Sequence, residues 1–319
     1  NGNSIASKTI SSGDVLVVNG TLYLSRGNVA TGNIQAKGNI IQASIMEGSS
    51  AVIDFANDSL SQTWTINGGT GPIMRLDSAA DASDSIIINT HAGFNGATIT
   101  SAFVGTIPIA NSGNYDLTFG TGGYSQAAGT FNGGAGTTTF SGGFNISGGT
   151  FNAATNTKIT GLSHTLDVNN TQTFYNLTFQ PNNGSGKIIA SGDTFIVLND
   201  LYLNDGFVHN PGILEARGNV TIASTFDGGT TDLRFTGSST SGMLNQNFTI
   251  PPYLFDGDVT VNKSEGEVVL LSSLFMNASN QDLVISSGTL NLNGNNLSAT
   301  GTANTIRGQG GTLKLIGSE

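Results

Sequence analysis

The chain has 319 residues, no cysteine, only 10% charged residues and a net charge of −10. That excludes a fold held by disulfides or a thiolate zinc site. The eleven Lys and Arg are scattered and never adjacent, so no basic patch awaits nucleic acid, and no run of 18 apolar residues is present to form a membrane-spanning helix.

Glycine is the dominant turn former, with 45 residues against 6 prolines, and Asn, Ser and Thr are abundant. Tight turns between short strands use this composition. In chain order, alternating apolar and polar residues predict strands at 15–18, 21–24, 52–55, 63–66, 85–88, 116–119 and 137–140. They continue at 173–179, 194–197, 232–235, 258–261, 267–271, 282–285, 289–292 and 312–316. Gly-Gly, Asn-Gly, Asp-Gly and Ser-Gly pairs punctuate them. No sustained helical periodicity with caps is present, so the expected fold class is all-β.

The chain also repeats itself. Residues 8–55 return at 187–235, with Leu22-Tyr23-Leu24 matching Leu201-Tyr202-Leu203 and Gly38-Asn39-Ile40 matching Gly218-Asn219-Val220. Tyr115-Asp116-Leu117-Thr118-Phe119 returns as Tyr175-Asn176-Leu177-Thr178-Phe179. Spacings near multiples of 20 fit one coil of a β-solenoid, and predict a single right-handed parallel β-solenoid over 1–319 with roughly 15 coils. Tandem β-sandwiches are the competing architecture. The stretch 77–115 shows less repeat character and is expected to be a loop or insertion.

The phrases Tyr175-Asn176-Leu177-Thr178-Phe179, Asp258-Val259-Thr260-Val261-Asn262-Lys263-Ser264 and the Gly/Asn/Leu-rich run 286–297 resemble bacterial β-strand-repeat surface proteins. These are autotransporter-like and filamentous-haemagglutinin-like adhesins with β-helical shafts. The resemblance implies an extracellular, surface-attached or filament-forming protein and transfers no catalytic residue.

The three histidines, His91, His164 and His209, lie at no metal-ligand spacing, and His-Glu-x-x-His is absent. Asp77, Asp81 and Asp84 form an oxygen-rich stretch and are the candidate Ca2+ ligands; a solvated loop is the competing reading. No other cofactor is expected. Paired carboxylates are the main enzymatic option, because glycan hydrolysis needs two acids across a groove. The candidates are Asp193, Asp205, Glu215, Asp227 and Asp232, with Arg217 and Arg234 nearby. Glu47 and Asp54 occupy the repeat positions of Asp227 and Arg234, which favours turn and surface roles. Trp64 shares a repeat slot with Phe248, which favours packing over a sugar platform.

The expected function is therefore that of a non-enzymatic extracellular structural protein, an adhesin shaft or surface-filament subunit joined through end coils or edge strands. Self-association or a longer parent chain is expected, with a glycan or cell-surface ligand as partner. The alternative is a β-helical polysaccharide lyase or hydrolase, or a tailspike-like depolymerase.

Overall fold

A computed structural model of the chain describes residues 7–47, 50–55, 61–76, 85–88, 90–99, 106–108, 115–182, 184–251 and 255–317. Among them there are strands and turns but no helix. The strands stack in parallel as a β-solenoid, not as sandwiches, with about 12 turns where the 20-residue period predicts roughly 15. The reason lies in coil length. Val15 pairs with Asn33, 18 residues on, whereas Leu233 pairs with Val259, 26 residues on.

The chain divides into two compact units, 1–156 and 157–319. In the first, one sheet stacks Val15–Val18, Asn33–Ala36, Val52–Phe55, Gly71–Leu76, Ala92–Ile99 and Leu117–Gln126. A second stacks Leu22–Leu24, Ile40–Gln42, Gln62–Ile66 and Ile86–Ile88. A third contains Thr106–Pro108, Thr130–Asn132 and Thr150–Asn152. Ile86–Ile88 and Ala92–Ile99 are thus coil strands within 77–115, and 77–84, 89, 100–105 and 109–114 lie outside the described residues.

The second unit repeats this plan. Thr171–Phe174, Thr194–Val197, Ile213–Ala216 and Asp232–Phe235 form one sheet. Asn176–Pro181, Asp200–Leu203, Asn219–Ile222 and Gln246–Thr249 form another. His164–Val168, Gly186–Ile189, Gly206–His209 and Phe226–Gly228 form the third.

Parallel in-register pairing explains why these sequences choose the fold. Successive side chains alternate between the two faces of a strand, so each inward residue meets its counterpart one coil away. In the first unit this places Phe94 on Phe119 and Phe119 on Phe140. Their rings stack with centroids 5.7 and 5.3 Å apart. Phe131 and Phe151 stack at 4.9 Å. Trp64 is fully buried against Phe94, centroids 4.8 Å apart, and Phe248 is fully buried in the second unit. Both aromatics of that repeat slot are core.

Candidate functional site

An acidic groove of the second unit is lined by Asn210, Thr230, Asp232, Asp256, Gly257, Asp258, Ser279 and Asn280, with a volume of about 350 Å³. It follows from coil stacking. Asp232 opens its strand facing outward beside inward Leu233, and Leu233 pairs with Val259, which places Asp258 one coil further on. The Asp258 backbone N–H donates to Asp232 Oδ1 at 3.4 Å. Asp282 N–H donates in turn to Asp258 Oδ1 at 2.7 Å, and Thr305 N–H to Asp282 Oδ1 at 3.0 Å. One carboxylate per coil therefore accepts from the coil stacked on it. On the groove's rim, Thr230 Oγ1 donates to Asn210 Oδ1 at 3.1 Å.

Partial burial raises the pKa of Asp232, and the negative charge of Asp258 raises it further. Two acids in one polar groove with one pKa raised is the pattern of a general acid beside an ionised partner. It is also what a carboxylate ladder produces without catalysis, since like charges stack along the coils.

The five candidate carboxylates are not brought together at this groove. Asp232 alone lines it. Asp193 Oδ2 accepts from Val168 N–H at 2.7 Å; its pKa is raised, first by burial. Asp205 Oδ1 accepts from Gly206 N–H, and Asp227 Oδ2 from Gly184 N–H at 3.2 Å. Glu215 Oε1 holds Arg217 Nε at 2.8 Å and Thr236 Oγ1 at 2.8 Å. Arg234 instead sits in register beside Glu215.

His91 Nδ1 accepts from Asp116 N–H at 2.9 Å, and His209 stacks on Phe207. His164 pairs in register with Lys187; burial first, then that lysine's charge, lowers its pKa. Asp77, Asp81 and Asp84 lie outside the described residues. Among the described residues, no group of three or more His, Asp or Glu could hold a metal ion.

Three kinds of engaged residue escape the sequence reading. Asp256 and Asp258 share the groove with Asp232. Lys187 and Lys263 point inward and are fully buried. Lys187 Nζ donates to the Leu162 carbonyl. Lys263 Nζ donates to the Gly237 and Met243 carbonyls and to Gln246 Oε1, the last at 2.6 Å. Finally, buried glutamines clamp successive coils. Nε2 of Gln62 donates to the Ala36 and Gly38 carbonyls, that of Gln246 to Ala216 and Gly218, and that of Gln281 to Phe255 and Gly257. The sequence holds the sign of it: Gln62-Thr63-Trp64-Thr65-Ile66, Gln246-Asn247-Phe248-Thr249-Ile250 and Gln281-Asp282-Leu283-Val284-Ile285 share a Gln-x-apolar-x-Ile pattern.

No family model matches this sequence, and neither a curated protein nor a solved structure matches it.

Proposed function

We propose that the chain is a structural protein of the cell exterior, an adhesin shaft or surface-filament subunit, and not an enzyme. The observation that carries this reading is the use made of its acids. Asp193, Asp227, Glu215 and Asp232 all accept hydrogen bonds from groups at least 21 residues away, one coil or more off. Ion pairs do the same work between coils, with Arg75 on Asp54 at 2.5 Å and Arg307 on Asp282 at 2.9 Å. Carboxylates spent on cohesion suit a shaft better than a catalytic groove. Assembly would proceed by strand addition, with coils of two copies pairing through backbone groups.

The test is electron microscopy of the protein purified from its native source, across a dilution series. Fibres with a regular axial repeat that shorten on dilution are expected. A strictly monomeric, concentration-independent particle overturns the assembly.

The groove of Asp232, Asp256 and Asp258 favours a second reading, a glycan-cleaving enzyme, because it gathers three carboxylates and partial burial raises the pKa of Asp232. A polysaccharide screen decides between them. Product release by the wild type that is lost in both Asp232→Asn and Asp258→Asn would replace the structural reading with the enzymatic one.

A further inference from the structure

The internal repeat compares the chain with itself. Outward residues mostly change between its copies: Val17 becomes Ile196, Gln35 becomes Glu215, Ile41 becomes Thr221 and Asp54 becomes Arg234. Asn39 and Asn219 are kept, and a structural task explains both. Asn39 Oδ1 accepts from Thr63 N–H, and Asn219 Oδ1 from Asn247 N–H.

Ser12 and Ser44 are also kept, as Ser191 and Ser224, but both lie in turns; within the strands one other outward residue is kept, and it is an aromatic in solvent. Tyr23 is 65% exposed and Tyr202 is 37% exposed. Each lies between two buried leucines, Leu22 and Leu24 or Leu201 and Leu203, so neither ring belongs to the core. A ring kept outward where its neighbours vary fits contact with something outside the coil.

The surroundings indicate the chemistry. Tyr202 is in register with Thr178 on one side and Thr221 on the other, and Thr221 with Thr249. Tyr23 is in register with Ile41, and Ile41 with Thr65. Each tyrosine therefore stands in a row running from coil to coil. Beside Tyr202 lies an amide and carboxylate network: Asn199 Nδ2 donates to Asn176 Oδ1 at 2.8 Å and to Asp200 Oδ2 at 3.0 Å, and Asn219 Nδ2 to Asp200 Oδ1 at 3.0 Å. Tyr175, half-exposed, stands one coil from Asn199, whose N–H donates to the Tyr175 carbonyl.

We propose that these two rows are binding platforms for a neutral, β-linked glycan with equatorial hydroxyls. Such a sugar ring presents a flat C–H face that stacks on an aromatic, with hydroxyls at its edge for Thr, Asn and Asp. Coils rise by about 4.8 Å, close to the advance per sugar of an extended β-linked chain, so a chain laid along the row meets each coil with one ring. The net charge of −10 and the carboxylate of Asp200 disfavour an anionic polysaccharide. The inference deepens the shaft reading, on which it rests, by naming what the polar faces hold.

The test measures binding of cello-, xylo- and manno-oligosaccharides by calorimetry, with polygalacturonate as the anionic comparison. The wild type is expected to bind a neutral β-linked oligosaccharide and not polygalacturonate. The double variant Tyr23→Ala/Tyr202→Ala is expected to bind on the order of tenfold more weakly, with an unchanged thermal midpoint because both rings are exposed. Tyr23→Phe/Tyr202→Phe keeps the stacking face and is expected to retain most of the affinity. No binding of any neutral oligosaccharide, tighter binding of polygalacturonate, or affinity unmoved by the double alanine variant each overturns the proposal. Rods or fibres in the microscope without glycan binding would remove the platforms and leave the shaft reading standing.

Discussion

Gln246 shows how much one side chain can hold in this fold. It is fully buried; its amide nitrogen donates to two carbonyls, and its oxygen accepts from Gly237 N–H and from Lys263 Nζ. Gln281 makes the same pair of donations, but its buried oxygen has no hydrogen-bond partner among the described residues. Replacing either by Met removes the donors while keeping a similar volume. Only Gln246→Met also takes an acceptor from a buried ammonium. Gln281→Met is expected to cost about 1–3 kcal/mol, and Gln246→Met more than that, because a charged donor also loses an acceptor. Thermal midpoints of the two variants check this; equal losses would show that Lys263 gains little from the amide oxygen. Adding Lys263→Met to Gln246→Met should recover part of the loss, because the buried ammonium that lost an acceptor is then absent.

The glutamine clamp also marks a limit of the sequence. The likeness of the segments at 62–66 and 246–250 is legible, yet it points to the aromatic in the third place and not to the glutamine in the first. A buried polar residue looks like a surface residue in a pattern of alternation. Its role depends on carbonyls 24 to 30 residues earlier, which only the coil register identifies. Asp256 and Asp258 are hidden for the same reason: they reach Asp232 through a coil of 26 residues, longer than the 20 the repeats suggest.

At the scale of the element, the repeated Gly-Asn pair at the head of a strand has two separable tasks. The asparagine bonds the next coil, as above. The glycine permits close approach: a Cβ on Gly218 would lie 1.5 Å from the Asn199 carbonyl oxygen, and one on Gly38 would lie 2.5 Å from that of Gly20. The Ser-Gly-Asp turn is a different case. Gly13 and Gly192 have φ of 90° and 87°, and a Cβ on either would meet nothing within 4 Å. Gly192→Ala is therefore expected to cost only the left-handed backbone strain, about 1–2 kcal/mol. Gly218→Ala must displace backbone between two coils and is expected to cost more than that, on the order of 3 kcal/mol or above. Denaturant midpoints of the pair distinguish them, and equal costs would show that the coils shift freely against each other. The strands themselves are the most legible level. Alternation locates 15–18, 52–55, 194–197 and 232–235 as the structure has them, because each inward residue must meet its own counterpart in the next coil.

At the scale of the whole molecule, the interior lysines make stability depend on pH in an uncommon direction. Burial lowers the pKa of both Lys187 and Lys263 from 10.5 to about 8. Below about pH 8 each is an ammonium in both folded and unfolded chains, and the folded state carries the full cost of burying it. Between about 8 and 10.5 the folded chain releases the proton while the unfolded chain keeps it, so the unfolded state binds more protons and stability rises with pH. The gain approaches about 3 kcal/mol for each lysine. Against it works the growing negative charge of a chain already at −10, whose self-repulsion opposes compaction. The difference between the wild type and Lys187→Met/Lys263→Met isolates the lysine contribution above about pH 7, because His164 and Glu265, whose pKa values are lowered in part by these lysines, titrate below that range. The variant leaves carbonyls of Leu162, Gly237 and Met243 without their donor at every pH, a loss that does not vary with proton concentration. The thermal midpoint of the wild type, relative to that of the variant, is therefore expected to climb between about pH 7 and pH 10. Parallel profiles would show that both ammonium groups keep their ordinary pKa inside the fold, and that the carbonyls around Lys263 solvate it as well as water does.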